Sequence, residues 1–184
     1  MAIDKVGILG VPLGFGAGKT GSELGVNAMR LSKTRGSSLA EHIRHLGIAV
    51  RDHGDAVIAR PPDDAAPANP KHLAEMVESS LNIIADIDAI LAADELPVIL
   101  GGDHAIAIPT FSAIASHYHR LGTDIGLLWF DAHADINTPE TSPSGNIHGM
   151  PVASLVGEGP DPLTNIGKPG AKLKSSQIVQ IGIR

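Results

Sequence analysis

The run Asp131-Ala132-His133-Ala134-Asp135 sets two carboxylates and an imidazole at alternate positions, directly after the apolar stretch IGLLWF at residues 125–130. Side chains of an extended chain alternate between faces, so Asp131, His133 and Asp135 are expected to project together. Two carboxylates and an imidazole without a thiolate suit Mn²⁺, Fe²⁺ or Zn²⁺ better than a soft metal. The plain alternative is a solvated loop that happens to carry charge. A second cluster tells against it: Gly101-Gly102-Asp103-His104 follows another apolar stretch, PVIL at residues 97–100. If both stretches are strands of one sheet, His104 and the 131–135 side chains can converge on one metal centre. Asp103 should face away from His104 and is not counted as a ligand. Residues 136–151 (INTPETSPSGNIHGMP) are rich in turn formers. Within them Asn137, Ser144 and Asn146 are neutral donors for a site rim, and His148 can move protons near neutral pH.

The elements that must position these residues read as alternating strands and helices. Residues 5–11 (KVGILGV) predict a short buried strand, followed by a loop carrying Gly14, Gly16, Gly18 and Gly21. Helices are expected at 22–31 and at 38–46, the latter with Ser38 as N-cap. A brief strand at 48–51 and a surface loop at 61–70 (PPDDAAPANP) follow. Residues 71–94 carry apolar side chains at Leu73, Met76, Val77, Leu81, Ile84, Ile87 and Leu91, a sustained helical spacing. A strand at 97–100, a helix at 105–119 with Pro109 near its start, and a strand at 125–130 come next. The last of these is apolar throughout, as in a parallel sheet covered on both faces. After the polar loop at 131–147, residues 178–183 (IVQIGI) predict another strand. This alternation predicts an α/β fold of three layers, α/β/α, with a mainly parallel sheet and its site beyond the carboxyl ends of the strands. Residues 1–184 read as a single domain whose last strand runs into Arg184 without a covering element. The chain is therefore expected to be the N-terminal part of a longer fold.

Composition narrows the function. An apolar share of 43% in 184 residues supports a packed core. The formal charge of -6, from 14 basic and 20 acidic residues without a basic cluster, argues against nucleic acid or an anionic membrane as partner. The chain has no cysteine, which excludes disulfides and thiolate metal sites. The N-terminus lacks the charge and apolar length of a secretory signal, and no apolar run reaches the roughly 20 residues of a membrane helix. A soluble, cytoplasmic protein is expected. LGFGAGKT at 13–20 invites comparison with a phosphate-binding loop, but Leu13 stands where that pattern needs glycine. A loop at the site rim is the better account. His117 and His119 fit as cations at a helix end. His42, His45, His53 and His72 are expected at the surface, and Trp129 and Phe130 in the core. Asp86 and Asp88 fall within a helix, where positions two apart face different ways, so they form no metal pair.

GGDHA, DAHADINTP and SGNIHGMP occur in this order behind GILGVPLGFGAGKTGSELGVNAMR. Together they resemble the arginases of the ureohydrolase superfamily over essentially the whole chain, with Val26 where many relatives have proline. The resemblance implies a centre of two manganese ions that activates water for attack on the guanidinium carbon of L-arginine, releasing urea and ornithine. His104, Asp131 and Asp135 match the ligands of one ion, and Asp131 and His133 those of the other. Asp135 also matches the carboxylate that hydrogen-bonds the nucleophile and helps protonate the leaving amine. His148 matches the proton shuttle. Asn137 and Ser144 match residues that hold the substrate α-carboxylate, with Asn146 beside them. A homo-oligomer, trimer or hexamer, is implied as well. Beyond Gly-Ile-Arg the relatives carry an acidic loop for the α-amino group, a D-x-D strand end that completes both ions, and a glutamate for the guanidinium. Two other readings are an agmatinase, whose substrate lacks the carboxylate, and a non-catalytic piece that holds metal weakly. Neutral donors at Asn137, Ser144 and Asn146 favour arginine.

Overall fold

Val6 and Ile8 alternate with Gly7 and Leu9 along KVGILGV, and both faces of this strand are covered. In the computed structural model, which describes residues 3–64 and 68–184, β1 (Lys5–Val11) is buried from Val6 onward. It pairs in parallel with β2 (Ala49–Asp55) on one side and β3 (Leu96–Gly101) on the other. Val6 and Ile8 pack with Val26, Leu100 and Ile43 under α1 (Gly25–Leu31) and α2 (Leu39–His45). Leu9 and Val11 face the opposite way, against Ile83, Ile87 and Ile90 of α3 (Leu73–Ala92) and Ile108 of α4 (Ala107–Arg120). Helices thus flank a parallel sheet on both faces, the layered α/β arrangement read from the alternation. Ser38 opens α2 with a reciprocal cap: its hydroxyl accepts from Glu41 N while the Glu41 carboxylate accepts from Ser38 N at 2.6 Å.

Several expectations need correction. The 22–31 segment starts with a 3-10 turn at Ser22–Leu24 before α1, and His104–Ile106 is likewise a 3-10 turn ahead of α4. The strand expected at 48–51 runs on to Asp55. The strand expected at 178–183 is β5 (Ile178–Ile181) and stops at Gly182, whose φ of 96° leaves the extended region. Residues 65–67 of the 61–70 loop lie outside the described residues.

The larger correction concerns the sheet. β4 (Leu127–Phe130) and β5 pair in parallel with each other and form a second, two-stranded sheet. Among the described residues they are not hydrogen-bonded to β2-β1-β3. Leu127 and Trp129 bury against Ala107 and Phe111 of α4 and Val152 and Leu155 of α5 (Pro151–Leu155). The other face of β4 is open, with Leu128 at 64% and Phe130 at 71% exposure. Phe130 is therefore not core, because strict alternation sends it away from the layer of α4 and α5 that covers β4 among the described residues. Of the four histidines expected at the surface, His45 is exposed and His42 and His72 are half-buried. His53 tucks under the sheet, its Nε2 2.6 Å from Glu95 Oε2.

Candidate metal centre

β3 ends where Gly102 lies flat against the Leu13 backbone, so close that a Cβ would collide with the Leu13 carbonyl oxygen. Gly102 N donates to Val11 O at 3.1 Å and Asp103 N to Leu13 O at 2.8 Å. The chain then turns into the 3-10 segment, capped by Asp103, whose Oδ1 accepts from Ala105 N at 2.9 Å. Asp103 is buried. His104 emerges on the near side with its ring stacked on Trp129 of β4, centroids 4.3 Å apart and planes 23° from parallel.

The DAHAD segment is propped by β5. Asp131 N donates to Ile181 O and Arg184 N to Ala132 O, both at 3.1 Å, and Gln180 Nε2 donates to Ala134 O at 2.6 Å. Asp131 Oδ2 comes within 2.9 Å and Asp135 Oδ2 within 3.0 Å of His104 Nδ1. Nitrogen and carboxylate atoms of these three side chains all lie within 4.8 Å of one another. Simple alternation does not produce this. Asp135 has a φ of 50°, outside extended geometry. Its carbonyl accepts from Val152 N at 2.9 Å and Ala153 N at 3.4 Å at the head of α5, and its side chain is only 7% exposed. His133 turns outward to 78% exposure, with Nδ1 3.3 Å from Asp131 Oδ1. Asp131 therefore faces His104 with one oxygen and His133 with the other.

Electrostatics follow from this packing. Burial works against a charged His104, but the hydrogen bonds and charges of Asp135 and Asp131 outweigh it and raise its pKa. Burial likewise works against a charged Asp131, yet the His133 N–H and the His104 and His133 side chains outweigh it and lower its pKa. Two carboxylate oxygens facing one imidazole nitrogen make a candidate cation site. One nitrogen with carboxylate oxygens and no sulfur is a donor set that a manganese ion accepts, so His104, Asp131 and Asp135 fit such an ion.

The cluster opens onto a cavity of about 560 Å³ also lined by Asn137, Ser144, Asn146 and His148. His148 Nδ1 sits 3.0 Å from the Gly16 carbonyl oxygen, and Asn146 Nδ2 donates to Ala17 O at 3.1 Å. The glycine-rich loop is thus a rim: Gly16 lies against Asp103, where a Cβ would meet Oδ1 at 2.7 Å. Asn137 Oδ1 accepts from the Thr141 hydroxyl at 3.2 Å, and Ser144 Oγ accepts from Asn146 N at 3.2 Å. Sequence reasoning missed the Trp129 stack, although Trp129 sits two before Asp131 and so shares its side of the strand. It also missed Lys71, whose Nζ donates to Asn146 Oδ1 at 3.1 Å and which no local pattern announces.

The sequence profile of the Arginase family matches residues 4–184. The chain belongs to the arginase family. It is 38% identical over 184 residues to the arginase of Bacillus caldovelox, covering 99% of this chain and 58% of that one. It is 36% identical to the arginase of Bacillus subtilis strain 168, again covering 99% of this chain and 58% of the relative. The solved Bacillus caldovelox arginase superposes with a TM-score of 0.88 over 99% of this chain and 58% of that one, at 36% identity. This arginase-family chain thus spans 58% of the length of these relatives. None of its helices, among the described residues, is long and apolar enough to cross a membrane.

Proposed function

We propose that this arginase-family protein hydrolyses the guanidinium group of L-arginine to L-ornithine and urea with two manganese ions. The observation that carries the reading is the His104–Asp131–Asp135 cluster at one end of a cavity whose other lining includes Asn137, Ser144 and Asn146. His104, Asp131 and Asp135 would hold one ion, and Asp131 and His133 would contribute to the second. Bound there, the metal supplies water acidified enough to act as nucleophile near neutral pH. Asp135 would hydrogen-bond the attacking water and return its proton to the leaving amine. The water oxygen bonds to the guanidinium carbon as the bond to the ornithine nitrogen breaks. His148, held at Nδ1 by Gly16, moves the remaining proton between site and solvent. Asn137 and Ser144 hold the substrate α-carboxylate. On this reading further ligands come from outside residues 1–184, as the 58% coverage of the relatives suggests. A soluble protein of the cytoplasm, assembled as a homo-oligomeric trimer or hexamer, goes with the same reading.

The test is urea release with Mn²⁺. Residues 1–184 are assayed beside the same chain extended by the C-terminal segment of the Bacillus caldovelox arginase that has no counterpart here. Activity is expected from the extended form. In it, Asn137→Ala or Ser144→Ala should lower kcat/KM for arginine roughly ten- to 150-fold, from about 1.5–3 kcal/mol per hydrogen bond to a charged group. Agmatine turnover should hold, whereas His148→Ala should slow both substrates. Comparable rates from the short form, or equal losses on both substrates from the Asn137 and Ser144 variants, would refute the ligand and carboxylate assignments respectively.

A further inference from the structure

We propose that Asp103 is a positioning residue: packed against the glycine-rich loop, it fixes the Gly16-Ala17 turn whose carbonyls hold His148 and Asn146 at the cavity. The consequence for turnover rests on the shuttle role proposed above for His148; the placement of the ring does not. Asp103 is a buried carboxylate outside the His104–Asp131–Asp135 cluster. Its Oδ1 accepts from Ala105 N at 2.9 Å and so caps the turn that carries His104. Its other oxygen, Oδ2, is buried with no hydrogen-bond partner among the described residues. A carboxylate oxygen left in that state is costly, so its surroundings matter. They are the loop: a Cβ on Gly16 would stand 2.7 Å from Oδ1 and 3.0 Å from Oδ2. Burial drives the Asp103 pKa up, while the N–H groups of Ala105 and Gly16, the charge of His148 and the Ala17 N–H work the other way.

The same two loop residues hold side chains of the cavity. Gly16 O meets His148 Nδ1 at 3.0 Å, and Ala17 O accepts from Asn146 Nδ2 at 3.1 Å. N–H groups that face Asp103 and carbonyls that face His148 and Asn146 thus belong to one short turn, Phe15–Ala17, closed by Gly18 at a φ of 64°. A carbonyl oxygen can only accept, so Nδ1 of a neutral His148 carries the hydrogen and Nε2 is left as the basic nitrogen. If the turn drifts, the ring loses the acceptor that fixes this tautomer, and either nitrogen can take the hydrogen. Glycine at position 16 is what lets the carboxylate reach the backbone of the turn this closely.

The measurement is the ¹⁵N NMR spectrum of the His148 imidazole in residues 1–184 without metal, at about pH 8.5, where an ordinary imidazole is neutral. The chain has nine histidines, and His148→Gln identifies the signals by their loss. Nδ1–H is expected as the main form in the unsubstituted chain. Asp103→Asn keeps the size of the side chain and an oxygen for Ala105 N, but sets an amide donor against the N–H groups of the turn. Gly16→Ala wedges a methyl between the turn and Asp103 from the other side. Each is expected to shift the ratio about fivefold toward Nε2–H, the worth of one net hydrogen bond, with the Ala105 amide still protected from exchange in Asp103→Asn. An unchanged ratio in Asp103→Asn would overturn the proposal, as would Nε2–H as the main form of the unsubstituted chain. A shift accompanied by loss of the Ala105 protection would trace the effect to the His104 turn and overturn it too. Should Asp103→Asn fail to fold, the ratio in Gly16→Ala decides in the same way. In the extended form, Asp103→Asn and Gly16→Ala should then lower kcat on both arginine and agmatine with KM held. A shifted ratio with kcat unchanged leaves Asp103 as the residue that places the ring and removes the shuttle role of His148 instead.

Discussion

Asp135→Asn isolates the charge of one candidate ligand from its structural duties. The Asp135 carbonyl, not its side chain, receives the α5 N–H groups, and asparagine tolerates the positive φ of 50° at this position as well as aspartate does. The fold should survive. The cluster keeps His104 and Asp131 but loses one of its two negative charges, 3.0 Å from His104 Nδ1. Loss of a supporting group around a metal costs roughly 10–100-fold in affinity, so loss of a ligand charge should cost at least about 100-fold. At a Mn²⁺ concentration 100 times the original Kd, the unsubstituted chain gains about 2.7 kcal/mol of stability, whereas the variant, at its own Kd, gains about 0.4 kcal/mol. The difference of about 2.3 kcal/mol corresponds to roughly 5–9 °C in Tm for a chain of this size. Without metal the variant should lose no more than about 1 kcal/mol, because His104 is partly exposed and the pair is screened. The assay is thermal unfolding of both chains with and without Mn²⁺. An equal Mn²⁺-induced rise in the two would mean that the ion binds elsewhere, and the assignment of Asp135 would be wrong.

The metal-free chain should show a stability window set by the same residues. His104, raised from an ordinary 6.5, contributes fully below that pH and loses its contribution as pH climbs through the raised value. Asp131, lowered from an ordinary 3.8, contributes above that pH and loses its contribution as pH falls through the lowered value. Urea unfolding across pH should therefore show the pair's benefit between these limits, and Mn²⁺ affinity should climb as His104 sheds its proton. Mn²⁺ affinity that does not rise as pH climbs above 6.5 would contradict the coupling. Gly102→Ala should cost about 1–3 kcal/mol, because the new Cβ meets the Leu13 backbone, which carries the hydrogen bonds that turn the chain toward His104. Denaturant midpoints measure it, and an unchanged midpoint would show that the Gly102–Leu13 approach is not tight.

α3 was legible because its burial follows a local period of 3.6 residues, and β1 because it is a short, unbroken run of apolar residues and glycine followed by a glycine-rich loop. The residues of the candidate site were legible as types and spacings at strand ends. Their geometry was less so. Alternation predicts that Asp131, His133 and Asp135 project together, yet the turn at Asp135 buries its carboxylate beside His104 while His133 swings into solvent. Strand pairing was not legible at all, since the apolar run before Asp131 carries no mark of which strand it joins. Reading it as covered on both faces misplaced Phe130.

That misreading matters for how the site is held. His104 leaves β3 and Asp131 leaves β4, and no sheet hydrogen bond among the described residues ties these strands together. Their relative position must come from packing. α4 begins directly after the His104 turn and sends Ala107 and Phe111 into the cluster that contains Leu127 and Trp129. α5 joins the same cluster through Val152 and Leu155, and its first N–H groups grip the Asp135 carbonyl. The His104–Trp129 stack closes the circuit from β3 to β4. The α4 side chains at this contact are Ala107 and Phe111. The three side chains that meet at the candidate cation site are therefore registered by helix packing and one aromatic contact. Substitutions in α4 that enlarge Ala107 or Phe111 should disturb the site as surely as changes to the DAHAD motif itself.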